Sequence, residues 1–295
     1  MIDIRTSPAA DGRCCPLCGG QQFEELHHWP IEHRRNPTRL ALSYWQCRCG
    51  LALLHPLPTV ADWQVAASGF HYGDEVSTDQ DSRTTSFARL RDTLRRWTFG
   101  SPEARLLRHT SRLISHGRLL DVGCGTGELL REASRRFVCV GVEPHVRTAE
   151  RVRQAGFRVV SGTINTADLP AATFDVVTMS ATLQQAADPI RALQDANHVL
   201  RAGGVVAVRV PKLFGPGHRW FGRDWSGFDL GRSFSMFTAE TLRLSLAATG
   251  FAPVSRPLRD RIWDDVLIVW ARKVREAEQD DSVLVPTQRD LRSAA

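Results

Sequence analysis

Residues 119–130 read LLDVGCGTGELL, an apolar run that stops at Asp121, passes through Gly123, Gly125 and Gly127, and restarts in helix formers. Leu119–Val122 has the texture of a buried strand and Glu128 onward that of a helix start. The glycine turn between them therefore aims backbone N–H groups and a helix N-terminus at whatever binds there. The spacing departs from a dinucleotide fingerprint, whose third glycine would fall at position 128, where this sequence has Glu128. An acid at that position argues against a diphosphate and for a nucleoside with a cationic or zwitterionic tail. Glu143, at the end of the next apolar run and about 20 residues on, suits a bidentate hydrogen bond to ribose hydroxyls. S-adenosylmethionine meets these demands.

Outward from this loop the same texture repeats. RLLDVG (118–123), VCVGVE (138–143), FRVVSG (157–162), FDVVTMS (174–180) and GVVAVRVP (204–211) are short β-rich runs separated by helical segments. One of these, DPIRALQDANHVLRAGG (188–204), has Pro189 to open the helix and Gly203 to close it. Strands alternating with helices predict an α/β fold with a parallel, doubly wound sheet. FAPVSRPL (251–258) and DDVLIVWARK (264–273) follow each other with no helix between, which predicts an antiparallel end to the sheet. The polar tail from Arg275 reads as disordered.

The remaining bounds concern partners and compartment. A chain of 295 residues with 42% hydrophobic content buries a large core. No window reaches the roughly 18 uncharged apolar residues of a membrane helix, and the N-terminus has no apolar leader, so the expectation is a protein without membrane contact. The net charge of +6 comes from scattered arginines, with Lys212 and Lys273 as the only lysines, which reads as a solvated face and disfavours nucleic acid. Of seven cysteines, Cys14, Cys15, Cys18, Cys47 and Cys49 crowd the N-terminal region. That pattern favours metal ligation over disulfides and a reducing cytoplasm.

From Arg118 to Lys273 the sequence resembles a class I S-adenosylmethionine-dependent methyltransferase. LLDVGCGTGELL is similar to the first motif of that family and VGVEPH (140–145) to its second; residues 174–212 resemble the block around its fourth and fifth strands. The resemblance implies a Rossmann-like seven-stranded, mostly parallel sheet with an antiparallel terminal strand. It also implies that Asp121, Gly123, Gly125 and Gly127 line the methionine part of the cofactor, with Glu143 on the ribose and Thr163 and Ile164 beside the adenine. Cys124, Pro144 and Ser180 belong to the same cofactor set. CCPLCGG (14–20) and YWQCRCGLALLHPLP (44–58) resemble the paired zinc knuckles of one branch of the family, whose members modify sugars and other small metabolites. Cys15, Cys18, Cys47 and Cys49 are then the ligands of a structural zinc ion. Only one residue separates Cys47 from Cys49, and His27, His28 and His33 stand as alternative ligands.

Methyl transfer needs alignment of a nucleophile with the methyl group and, for a hydroxyl, removal of its proton. Where the family branch often carries a Glu-His pair after the fourth strand, this sequence has Gln184 and Gln185, neither of which is a base. The candidates for the base are His218 and Asp224 in the insertion GPGHRWFGRDWSGFDLGRSFSMF (215–237). Tyr72, Gln185, Trp225 and Arg232 are the candidate substrate contacts, and Tyr72 resembles the lid aromatic of the family. In the bland reading of the insertion, Trp220, Phe221 and Trp225 are simply core. His145 is expected to make a cofactor-side contact or a helix cap. The resulting division is a zinc-knuckle region over 14–56, a helical linker and lid over 57–116, a cofactor-binding domain over 117–273 with an insertion at 212–237, and a tail over 274–295. The leading functional expectation is O-methylation of a small metabolite; a ribosomal RNA methyltransferase and a non-catalytic cofactor- or partner-binding module are the alternatives.

Overall fold

The computed structural model describes residues 8–33, 40–57, 101–230, 232–254 and 265–277. Tyr72, most of the expected linker over 57–116 and most of the expected tail over 274–295 lie outside the described residues. In chain order the described strands and α-helices begin with β1 (Phe23–Trp29), β2 (Leu42–Cys47), β3 (Ala52–His55) and α1 (Pro102–Leu113). They continue with β4 (Gly117–Val122), α2 (Glu128–Ala133), β5 (Phe137–Glu143), α3 (Val146–Gln154), β6 (Arg158–Ser161) and β7 (Phe174–Ser180). After these come α4 (Pro189–Val199), β8 (Leu200–Pro211), α5 (Pro216–Phe221), β9 (Ser235–Met236), α6 (Ala239–Ala248), β10 (Phe251–Pro253) and β11 (Val266–Lys273).

The main sheet has seven strands in the order β10-β11-β8-β7-β4-β5-β6. Strands β4 to β8 run parallel, β11 lies antiparallel to β8, and β10 antiparallel to β11, as the sequence predicts. Neighbouring apolar residues on each central strand serve opposite faces. Leu120, Val177 and Val206 join one core with Leu193 of α4 and Leu246 of α6, while Leu119, Val176 and Val205 join another with Leu107 of α1 and Leu129 of α2. The chain leaves β4 toward β5 and β6, then returns to β7 on the other side. The glycine loop after β4 thus sits at the switch point where an open α/β sheet has its crevice.

Helix α4 ends earlier than its sequence signal implies. Asp188 caps it by accepting from the N–H groups of Ile190 and Arg191, but the helix stops at Val199 and Leu200 is already strand, paired with Phe174. Gly203, expected to close the helix, lies inside β8 beside a register irregularity, with φ of 73°. The helix end is satisfied from elsewhere: the buried Lys273 ammonium, at the end of β11, donates to the carbonyls of Asn197 and Leu200, both at 2.8 Å. A cation at that end also complements the helix dipole.

The second sheet has the order β1-β2-β3-β9. Its first three strands form an antiparallel meander from the N-terminal region, and the fourth comes from the insertion, through Ala52 paired with Met236 and Leu53 with Ser235. Strand β9 covers an edge of β3 that would otherwise expose unpaired backbone groups. Behind it Trp29, Tyr44, Leu54, Trp225, Phe228 and Met236 form one apolar cluster. Trp225 is core, but Trp220 and Phe221 are 85% and 52% exposed, against their reading as core. Helix α5 has only six residues, and His218 takes its inward face, which leaves its last turn pointing outward.

Candidate active site

The loop after β4 is built by close approaches that only glycine permits. Gly123 has φ of 70°, and a Cβ there would stand 2.5 Å from the Thr182 hydroxyl. Gly127 has φ of 78° and packs its Cα against Val152 of α3, where a Cβ would meet Cγ1 at 2.9 Å. A Cβ on Gly125 would meet nothing within 4 Å, so the middle of the loop faces open space. Glu143 is 2% exposed and ties the two motifs together: Oε2 accepts from the N–H of Gly125 at 2.9 Å and Oε1 from the N–H of His145 at 2.9 Å. Each carboxylate oxygen keeps a further lone pair, so the residue fits a ribose diol without losing its backbone partners.

Asp121 lies beneath the loop, fully enclosed, and accepts from the Thr178 hydroxyl at 2.7 Å. Burial pushes its carboxyl up to about 7, against the lowering effect of that hydrogen bond. Burial likewise pushes the Cys124 thiol up to about 12, which makes it an inert packing group. Ile164 is buried after β6, whereas Thr163 and Pro144 are exposed. His145 caps α3, accepting from the Thr148 N–H at 3.3 Å.

A methyltransferase-domain family profile matches residues 88–256. The chain belongs to that family. It is a class I S-adenosylmethionine-dependent methyltransferase. Malonyl-acyl-carrier-protein O-methyltransferase of Serratia marcescens is 35% identical over 92 residues, which are 30% of this chain and 36% of that protein. An uncharacterized methyltransferase of Mycobacterium tuberculosis is 37% identical over 95 residues, 30% of this chain and 48% of that protein. The matched stretch therefore spans less than half the length of these relatives. Among solved structures, 1,6-didemethyltoxoflavin-N1-methyltransferase of Burkholderia thailandensis, with 1,6-didemethyltoxoflavin and S-adenosylhomocysteine bound, has 18% identity and a TM-score of 0.51. That comparison covers 84% of this chain and 100% of the other, and the likeness is one of fold.

On the other side of the methyltransferase crevice, the turn after β7 is tied down from three directions. Ala181 adopts φ of 59°, and its N–H donates to the Arg209 carbonyl at 2.8 Å. The Thr182 hydroxyl donates to the Val122 carbonyl at 2.8 Å, next to Gly123. Gln184 is buried, donates from Nε2 to the Ala181 carbonyl at 2.9 Å, and accepts at its own carbonyl from the Phe234 N–H at 2.7 Å. Ser180 and Gln185 are half-buried on the same turn. Thr178 and Thr182 escape the sequence reading because their partners, Asp121 and the Val122 carbonyl, lie on β4; the run of polar residues just past a buried strand was the available signal.

The insertion places its candidates elsewhere. His218 is buried, and both ring nitrogens are engaged: Nδ1 accepts from the Phe214 N–H at 3.1 Å, and Nε2 lies 2.9 Å from Nε2 of His27. Burial, then the neighbouring His27, lowers the His218 pKa to about 4. Trp225 packs against His218 and Phe228. Asp224 is half-exposed, 3.9 Å from Nε2 of His33, and Arg232 pairs with Asp229 at 2.9 Å. The structure thus groups Asp121, Cys124, the loop glycines and Glu143 together, and His218 and Trp225 in the aromatic cluster of the second sheet.

The sulfur atoms of Cys15, Cys18, Cys47 and Cys49 all lie within 4.8 Å of one another. The Cys15–Cys49 and Cys18–Cys47 separations are both 3.6 Å. Four thiolates at a Zn–S distance of about 2.3 Å stand about 3.8 Å apart in a tetrahedron, so the donor set fits zinc. Left-handed Gly19 and Gly50 close the two turns, with the Gly19 N–H on the Cys15 carbonyl and the Gly50 N–H on the Cys47 carbonyl. Hydrogen bonds from Cys15 and Cys49 pull the Cys47 thiol down to about 2, and the same contact raises Cys15. His27 is on His218, His28 is on Ser43 at 2.8 Å, and Cys14 is exposed.

Proposed function

We propose that this methyltransferase transfers a methyl group from S-adenosylmethionine to an oxygen of a small metabolite. The observation that carries this reading is the backbone hydrogen bond from Phe234 to Gln184, which lays the second sheet against the turn beyond β7. An acceptor side closed in this way suits a small molecule. A nucleic acid needs an open basic track. Oxygen as the acceptor is favoured by the likeness to an O-methyltransferase over 92 residues.

S-adenosylmethionine supplies an electrophilic methyl group; this chain's residues hold it and orient the acceptor. Glu143 would bind the ribose, the loop from Gly123 to Gly127 and Asp121 the methionine end, and Ile164 with Thr163 the adenine. With both nitrogens of His218 engaged, we assign that residue to holding the insertion against β1, and Asp224 to accepting the hydroxyl proton. Gln185, Trp225 and Arg232 remain our candidates for shaping the acceptor side. We further propose a structural zinc ion on Cys15, Cys18, Cys47 and Cys49, and a reducing, cytoplasmic setting in which these thiols persist. Among the described residues no helix is long and apolar enough to cross a membrane.

The test is transfer of labelled methyl from S-adenosylmethionine to a fractionated extract of the source cells. Label is expected in the low-molecular-weight fraction, resistant to ribonuclease. Label confined to RNA would overturn the reading.

A further inference from the structure

Among the described residues, three buried polar atoms beside the turn after β7 have no hydrogen-bond partner: Gln184 Oε1, Ser233 Oγ and Ser235 Oγ. Gln184 is 4% exposed and both serines are 1% exposed. A native protein rarely leaves a buried acceptor or hydroxyl unpaired, because each costs about 1–3 kcal/mol. Three such atoms, on two segments joined by the Phe234–Gln184 backbone hydrogen bond, mark a region where a polar ligand is expected.

Their placement follows from the backbone. The Phe234 N–H donates to the Gln184 carbonyl at 2.7 Å, and the Phe234 carbonyl accepts from Leu54 at 2.8 Å, which extends the β3–β9 ladder. Ser233 and Ser235 flank Phe234, and alternate residues of an extended segment leave the same face. Ser235 pairs with Leu53, which packs in the same apolar cluster as Leu183, the residue before Gln184. Met236 faces the aromatic cluster on the opposite side. The two serines therefore turn toward the crevice turn, and that turn is clamped to the glycine loop through Thr182 and the Val122 carbonyl.

We infer that Gln184, Ser233 and Ser235 form a recognition subsite for an uncharged hydroxyl- or amide-bearing group of the methyl acceptor. Gln184 Oε1 can only accept, so the ligand must present an O–H or N–H to it. The serine hydroxyls donate or accept as required. A carboxylate is disfavoured: the serines could donate to it, but it leaves Gln184 Oε1 facing a negative oxygen with no donor. The inference rests on reading this side of the crevice as the acceptor side.

The test uses cofactor analogues, so that no acceptor need be known. In the probes, the sulfur is replaced by nitrogen carrying a propyl, a 3-hydroxypropyl or a 2-carboxyethyl arm in place of the methyl group. Calorimetry on the full chain is expected to show the hydroxypropyl probe binding about tenfold tighter than the propyl probe, and the carboxyethyl probe weakest. In Ser233→Ala, Ser235→Ala and Gln184→Met the preference should fall below about threefold while S-adenosylhomocysteine affinity is unchanged. The serine variants should melt at or above the wild-type temperature, because each removes an unpaired hydroxyl. Equal binding of the propyl and hydroxypropyl arms, a preference that survives all three substitutions, or a large loss of stability in the serine variants would overturn the subsite. Label found only in RNA would sink the metabolite reading and leave these affinities untouched, so the two fail separately.

Discussion

The Nε2 atom of His218 stands 2.9 Å from Nε2 of His27, although the two residues are 191 positions apart in the chain. Because Nδ1 of His218 accepts the Phe214 N–H, its proton must sit on Nε2 and point at His27. His27 Nε2 accepts that hydrogen bond, and His27 carries its own proton on Nδ1. Both rings are neutral in this arrangement, and protonating either one costs a hydrogen bond.

Stability should follow that pair in acid. The folded pKa of His218 is lowered to about 4 by burial and then by His27, and that of His27 is lowered by burial and then by Arg223. The unfolded chain therefore binds more protons between the ordinary histidine range and about pH 4. Stability is full above pH 6.5 and declines as pH falls to about 4, by up to about 3 kcal/mol for His218. Denaturant melts of wild type and His218→Gln from pH 7.5 to 4.5 check this. The variant should start less stable and lose less on acidification; parallel curves would remove the pair as the cause.

Cofactor affinity should depend on Glu143. Glu143→Ala removes the acceptor for Gly125 and His145 together with the expected ribose contact, so S-adenosylmethionine binding should weaken by about 1–3 kcal/mol. Calorimetric titration measures it directly. Unchanged affinity would mean that the ribose is held elsewhere.

Asp121 predicts a proton released on binding. Its carboxyl is pushed up to about 7 by burial, and a cationic cofactor favours the ionised form. S-adenosylmethionine affinity should therefore fall by several-fold between pH 7.5 and 6, and calorimetry in two buffers of different ionisation enthalpy should detect the proton. Asp121→Asn should abolish both effects.

Zinc should account for about one ion per chain in protein purified without chelator, and Cys18→Ser should lose it. Because Cys47 ends β2 and β3 carries β9, metal loss should raise amide exchange at Ser235 and Met236 before the parallel sheet is affected. Protein that is free of metal, folded and equally protected would sink the zinc reading.

Catalysis should separate Asp224 from His218. Asp224→Asn is expected to lower turnover on a neutral hydroxyl by about 10²-fold with cofactor affinity intact, whereas His218→Gln should act mainly on stability. A full rate in Asp224→Asn would leave alignment alone as the catalytic device.

The sequence by itself determined the glycine turn and its place in the parallel sheet. The strand, the glycine turn, the helix and Glu143 occupy one contiguous stretch, and each imposes a local demand: left-handed φ at Gly123 and Gly127, and an acid at the end of β5. The antiparallel end of the sheet was legible for a similar reason, because two strands in succession leave no room for a crossover helix. Tertiary structure alone decided how the insertion meets the turn after β7. A strand of two residues, Ser235–Met236, is too short to show alternation, so nothing local announced that the insertion would complete the N-terminal sheet. Residue spacing likewise could not say whether Cys47 and Cys49, one residue apart, still converge with Cys15 and Cys18; the Gly50 turn and the β1–β2–β3 meander bring them together. His27 meeting His218, and Gln184 meeting Phe234, are contacts between segments that carry no mutual periodicity. They exist because two apolar faces had to be buried against each other, and that requirement has no address in the linear sequence.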